Sequence, residues 1–149
     1  MNTPLIKEFH YKVPIENVWQ ALTDTDKMKK WYFPQLQKFE PVVGFKFQFD
    51  DAEAEYQKEW TVTKVVNGKT LAHTWSYKGY PGSSEVIFDL FSEENGTRLR
   101  VTQTGLDSFP SHPHFKRERF EWGWENLLGQ NLRNLLGNSA DSWVDKNFI

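Results

Sequence analysis

Polar and apolar positions alternate from the start of the chain. Between residues 5 and 13, Phe9, Tyr11 and Val13 are apolar while Glu8, His10 and Lys12 are polar. A period of two over this length predicts a half-buried strand. Pro14 ends the run and suits a helix start. Ile15, Val18, Trp19 and Leu22 then recur on one helical face. Asp24-Thr25-Asp26 interrupts that helix and can cap a second short one, which carries Met28, Trp31 and Tyr32. Phe33-Pro34 forces an extended exit.

Strand signals follow without a break. Gly44 to Phe49 places three Phe on one face, Asp50 to Glu55 is an acidic turn, and Trp60 to Val66 is rich in β-formers. Asn67-Gly68 is a hairpin signal. Leu71, His73, Trp75 and Tyr77 alternate with Ala72, Thr74 and Ser76, and Gly79 to Gly82 turns the chain. Val86, Phe88 and Leu90 alternate with Ile87 and Asp89. After a second hairpin signal at Asn95-Gly96, Leu99, Val101 and Gln103 share one face, with Arg98 and Arg100 on the other. Short turns and no intervening helices predict an antiparallel meander of five or six strands.

Residues 105–114 read as a loop, because Gly105, Asp107, Ser108, Pro110, Ser111 and Pro113 are turn formers. Then comes the longest helical pattern, with Phe120, Trp124, Leu127, Leu128, Leu132 and Leu135 on one face and Gly137-Asn138 as a natural stop. A helix over 115–136 spans ~33 Å at ~1.5 Å per residue, the width of a domain-sized sheet. Segregated strands and helices predict an α+β fold. The sheet must curve to hold that helix. The result is a helix-grip fold: a curved antiparallel β-sheet wrapped around a long C-terminal helix, with two short helices after the first strand. One domain over 1–149 is expected, with its core at about 5–136 and a polar tail at 138–149 whose Trp143 and Phe148 can tuck back.

Composition sharpens this picture. Aromatics reach 16%, with seven Trp and twelve Phe, although apolar residues total only 38%. Few, large rings must build the interior, and they either fill it or line a pocket. No cysteine is present, so disulfides and thiolate chemistry are excluded. A net charge of −2 with dispersed signs provides no footprint for nucleic acid. No apolar run approaches the ~20 residues of a membrane span, and residues 1–8 lack the regions of a signal peptide. A cytoplasmic location is expected.

The order and spacing of several segments resemble a known group. These are Val13-Pro14-Ile15-Glu16-Asn17-Val18-Trp19 through Asp24, then Met28 and Lys30-Trp31, Leu71-Ala72-His73-Thr74-Trp75, Gly96-Thr97-Arg98-Leu99-Arg100-Val101, and Gly123-Trp124 with Leu127-Leu128 and Leu132. Over residues 5–136 the chain resembles the START-like (SRPBCC) superfamily, and within it the heat-shock-protein-90 ATPase activator homologue-like family. Val43-Gly44 stands where that family usually has Gly-Gly, and the tail after Gly137 is not part of its pattern. The eukaryotic activators place a chaperone-binding domain ahead of such a module, and this sequence shows none. The resemblance implies the helix-grip fold and a cavity.

Inner-face rings meeting a helical Trp define the candidate site: Trp31, Phe47, Trp60, His73, Trp75, Phe88, Phe109, Trp124 and Leu128. The competing reading is a fully packed core. His73 either orients a ligand's polar group or is a hydrogen-bonded core residue. Gly123 and Gly129 lie inside the long helix at ~1 kcal/mol each relative to Ala. They suggest close backbone approach or room for a ligand. Phe109, His112 and His114 sit on the loop where such folds place an entrance. His112 and His114 lack a third ligand partner, so no metal site and no cofactor is expected. Carboxylate pairs fall in turns, and no Gly-rich phosphate loop, nucleophile elbow or zinc motif occurs.

Three functions compete. The first is binding of a small hydrophobic or aromatic molecule, lipid-like or flavonoid- or polyketide-like. The second is a chaperone cofactor that stimulates a heat-shock ATPase in a stress response. The third is a cyclase- or dehydratase-like enzyme, for which the sequence supplies no assembled acid, base and oxyanion donor.

Overall fold

The computed structural model describes residues 3–140, so the expected packing of Trp143 and Phe148 lies outside the described residues. Strand β1 (Leu5–Tyr11) leads into helices α1 (Ile15–Thr23) and α2 (Thr25–Trp31). Asp24 separates the two helices, and its carboxylate accepts from the Lys27 N–H at 3.0 Å, satisfying a donor the first turn leaves free. Next come β2 (Leu36–Lys38), β3 (Gln48–Phe49), β4 (Lys58–Glu59), β5 (Val62–Val66), β6 (Thr70–Tyr77), β7 (Ser84–Glu93) and β8 (Gly96–Thr104). The six-stranded antiparallel sheet has the order β1-β8-β7-β6-β4, with β5 also on β6, while β2 and β3 form a separate pair.

The β7–β8 hairpin depends on one glycine. Gly96 has φ 143, and a Cβ there would run into the Tyr11 carbonyl of the neighbouring strand. Only a residue without a side chain permits that approach.

Two expected strands are broken. The Phe-rich stretch serves both sheets. Gly44 and Phe47 donate to Val62 and Trp60, and Val62 returns a bond to Phe45, whereas only Gln48–Phe49 pairs with β2. The expected strand from Trp60 to Val66 is interrupted at Thr61. There the His73 ring occupies the Thr74 carbonyl at 2.7 Å, so the Thr61 N–H turns to the Thr74 hydroxyl at 2.9 Å.

The C-terminal helix begins after a single 3-10 turn at Pro113–Phe115 and runs as α3 (Arg117–Asn126), a π-helical segment (Leu127–Leu132) and α4 (Arg133–Ala140). It passes through Gly137 rather than stopping there. Its buried face is Phe120, Trp124, Leu128, Leu132 and Leu136, an unbroken spacing of four. An α-helix turns ~100° per residue, so four-residue steps drift by ~40° each. The wider π turn advances less per residue and reverses the drift, which keeps Leu132 and Leu136 on the sheet. Outside donors secure this segment: the Tyr11 hydroxyl donates to the Leu128 carbonyl at 2.8 Å, and Arg133 donates to Gly129 and to His10 of β1. Gly129 lets the helix close on β1, because a Cβ would lie 3.3 Å from the Phe9 ring.

Inner-face residues Leu71, His73, Val86, Phe88, Leu99 and Val101 are buried beneath the helix. On the outer face, Glu8 pairs with Arg98 and Arg100, and His10 lies 3.5 Å from Glu93. No described helix is long and apolar enough to cross a membrane.

Candidate functional site

The deep interior is filled with rings. Trp31 stacks on Tyr32 at 4.3 Å, and Trp60 lies 4.7 Å from His73 and 4.4 Å from Trp75. Phe47 sits 4.9 Å from His73, and Phe88 meets Trp124 edge-on at 5.7 Å. Trp31, Phe47, Trp60, His73, Phe88 and Leu128 are all buried in this cluster. Phe109 is buried too, stacked between Phe115 and Phe120 at the start of the long helix.

Hydrogen bonds fix these rings. His73 Nδ1 faces the Thr74 carbonyl, which can only accept, so that nitrogen carries the proton. Its Nε2 then accepts from the Tyr32 hydroxyl at 3.0 Å. Burial holds the imidazole neutral, with a pKa lowered to about 4. Trp124 Nε1 donates to Gln103 at 2.9 Å, whose amide in turn donates to Ser84. Trp31 Nε1 donates to the Ala21 carbonyl at 2.7 Å. The Trp60 indole N–H finds no acceptor among the described residues.

Beside this packed interior, at the N-terminal half of the long helix, the structure leaves a cavity of about 340 Å³. Trp75 and Trp124 are the expected site residues that line it. The other walls are Phe33, Tyr56, Lys58, Tyr77, His114, Arg119, Phe120, Trp122, Gly123, Asn126 and Leu127. A Cβ placed on Gly123 would meet nothing within 4 Å. The two helical glycines thus play different parts: Gly129 permits contact, and Gly123 leaves space.

The polar groups of the wall are mostly donors. Tyr77 accepts from Trp75 Nε1 at 2.8 Å and retains its own proton, since burial raises its pKa. Lys58 Nζ lies 4.4 Å from the centre of the Phe33 ring, and burial lowers its pKa, opposed by the field of Asp51. His114 stacks on Tyr56 at 3.6 Å with the rings nearly parallel. Burial and then the charge of Arg119 lower its pKa. No cluster of three or more His, Cys, Asp or Glu side chains suited to a metal occurs among the described residues.

Residues 12–137, nearly the whole described chain, match the family model described as Activator of Hsp90 ATPase homolog 1-like protein. The chain belongs to that family. No curated protein matches the sequence. Among solved structures, it is similar to protein MLL2253 from Mesorhizobium loti, at 24% identity and a TM-score of 0.73, over 93% of this chain and 99% of that one. It is also similar to PFC0360w, an HSP90 activator from Plasmodium falciparum, at 22% identity and a TM-score of 0.71, over 90% and 96%. DynU16, a protein in the dynemicin biosynthetic locus, matches at 20% identity and a TM-score of 0.72, over 91% of this chain and 48% of that one. At these identities the likenesses establish the helix-grip, START-type fold.

In this member of the Hsp90-activator-homologue family, much of the cavity wall lies outside the residues expected from the sequence. Lys58 shares strand parity with Trp60, so an inward cation was detectable. Arg119, Trp122, Gly123 and Asn126 recur at helical spacing along a stripe beside the buried one, and Tyr56 follows the acidic turn. That stripe signals a second face, but only the fold shows that it borders a space.

Proposed function

We propose that this protein binds a small hydrophobic or aromatic ligand in the cavity between sheet and C-terminal helix. The carrying observation is the ring-lined space of about 340 Å³ against Gly123. This volume lies near the lower end of the ~300–1,000 Å³ range of small-ligand sites. Trp75 and Trp124 contact the ligand in this reading, and Trp31, Phe47, Trp60, His73, Phe88, Phe109 and Leu128 form the rigid backing that holds those walls in place. The wall has no carboxylate, which favours holding a ligand over transforming it. The lack of cysteine supports a cytoplasmic setting.

The test is Gly123→Leu, which puts a side chain into the open space without crowding the backbone. Binding of N-phenylnaphthylamine, an uncharged fluorescent probe, is expected in the native protein and lost in the variant, with thermal stability kept. Unchanged probe binding in a folded Gly123→Leu protein contradicts the reading. Membership of its family favours a second reading, stimulation of a chaperone ATPase. An ATPase assay with a heat-shock-protein-90 chaperone that shows no rate increase at saturating protein removes it.

A further inference from the structure

The cavity wall is unusual in its charge. It combines apolar rings with two cations, Lys58 and Arg119, and no acidic side chain. Among the described residues, neither Lys58 Nζ nor the Arg119 guanidinium makes a hydrogen bond or an ion pair. Asp51 is near enough to favour the charge on Lys58, but its carboxylate accepts from the Lys58 backbone N–H at 2.9 Å. The ammonium instead lies over the faces of Phe33 and Phe49, at 4.4 Å and 5.6 Å.

Both cations act on one place. The charges of Arg119 and Lys58 each disfavour protonation of His114, and Arg119 also acts on Tyr77 and Tyr56. Lys58 stands directly opposite Tyr77 in the β4–β6 pair, and both cations share the cavity wall with Tyr77, which has an unspent O–H. A half-buried ammonium without a hydrogen-bond acceptor is costly, whereas an anion bound there gains charge-assisted hydrogen bonds. Glu55, whose field acts on His114, lines no part of the cavity.

Resting on the ligand-binding reading above, we infer that the ligand is an amphipathic acid. Its apolar body lies against Trp75, Trp124 and Gly123, and its single anionic group is held by Lys58, Arg119 and the Tyr77 hydroxyl. The recognised chemistry is a carboxylate or equivalent acid on an apolar skeleton, and both flat aromatic acids and chain-like fatty acids share it.

Anilinonaphthalene sulfonate and N-phenylnaphthylamine separate the inference from the reading beneath it, because they share a skeleton and differ by the acidic group. The sulfonate is expected to bind about tenfold more tightly, as one charge-assisted contact implies. Lys58→Met and Arg119→Gln should erase most of that advantage, read as the ratio of the two probes' affinities within each variant, and make the sulfonate's binding less sensitive to salt. Lys58→Arg should preserve it. Arg119 is exposed, so Arg119→Gln keeps the test alive even if Lys58→Met impairs folding. Displacement of the sulfonate by naphthoic acid marks a flat acid, and displacement by dodecanoic acid a chain acid. Either supports the inference provided the matching methyl ester fails to displace. Equal affinity for the two probes, or a sulfonate advantage that survives both substitutions, overturns the inference and leaves the cavity reading standing. Binding of neither probe removes the cavity reading itself.

Discussion

A single imidazole shapes more of this molecule than its size suggests. His73 is fully buried among rings, takes the Thr74 carbonyl away from the sheet and accepts from Tyr32. Its pKa falls from 6.5 to about 4 on burial, so between those values the unfolded chain binds the proton and the folded one does not. Its contribution to stability is present in full above pH 6.5 and is lost as the pH falls through about 4. The full span is worth up to about 3 kcal/mol. Urea denaturation of the native protein and of His73→Gln between pH 7 and pH 4 checks this. The variant should lose less stability over the interval than the native protein, whatever its starting value, and parallel curves would contradict the assignment. Residue types alone could not decide whether His73 serves a ligand or the core. Alternation placed it on the inner face, but its partners include a backbone carbonyl from its own strand. Lys58 poses the same difficulty: its inward parity was legible, whereas its position over Phe33 depends on a loop three-dimensionally adjacent and remote in sequence.

Among the elements, the long helix differs most from its sequence pattern. Its apolar spacing reads as an ordinary helical stripe, and nothing in the residue types marks the π segment. That segment becomes necessary only when the fourfold spacing must face one sheet over the whole length. Removing Gln130, an exposed residue within it, should restore α geometry and keep Leu132 and Leu136 on the sheet side, because the wide turn takes up one extra residue. Removing Asn134, an exposed residue of α4, instead turns Leu136 by ~100° and should cost on the order of several kcal/mol. Calorimetric melting of the two proteins measures the difference, and equal losses would show that the π segment does not absorb a residue. The hairpins were the opposite case. Asn67-Gly68 and Asn95-Gly96 announced their turns, since backbone shape there is set by a few adjacent residues. The break at Thr61 was hidden because it arises from a hydrogen bond to another strand.

In the molecule as a whole, packing is uneven. Rings interlock where the helix crosses the middle of the sheet, and the free space is gathered at the N-terminal half of that helix. Binding there couples to global stability, because the unfolded chain has no such cavity. An amphipathic acid at a hundredfold excess over its Kd should add about 2.7 kcal/mol, a rise of roughly 5–10 °C in melting temperature for a chain of this size. Differential scanning fluorimetry with and without the acid reads it, and Gly123→Leu should abolish the shift. The α+β order and the aromatic richness were legible before any coordinates. The location of the space was not, because composition counts rings without saying which of them touch. One consequence concerns light. Trp122 stands at the cavity wall with 69% of its surface in solvent, while Trp31, Trp60 and Trp124 are each 1% exposed. An occupant would strip water from Trp122 selectively, moving the red edge of the protein's emission towards the blue and announcing occupancy without any added dye.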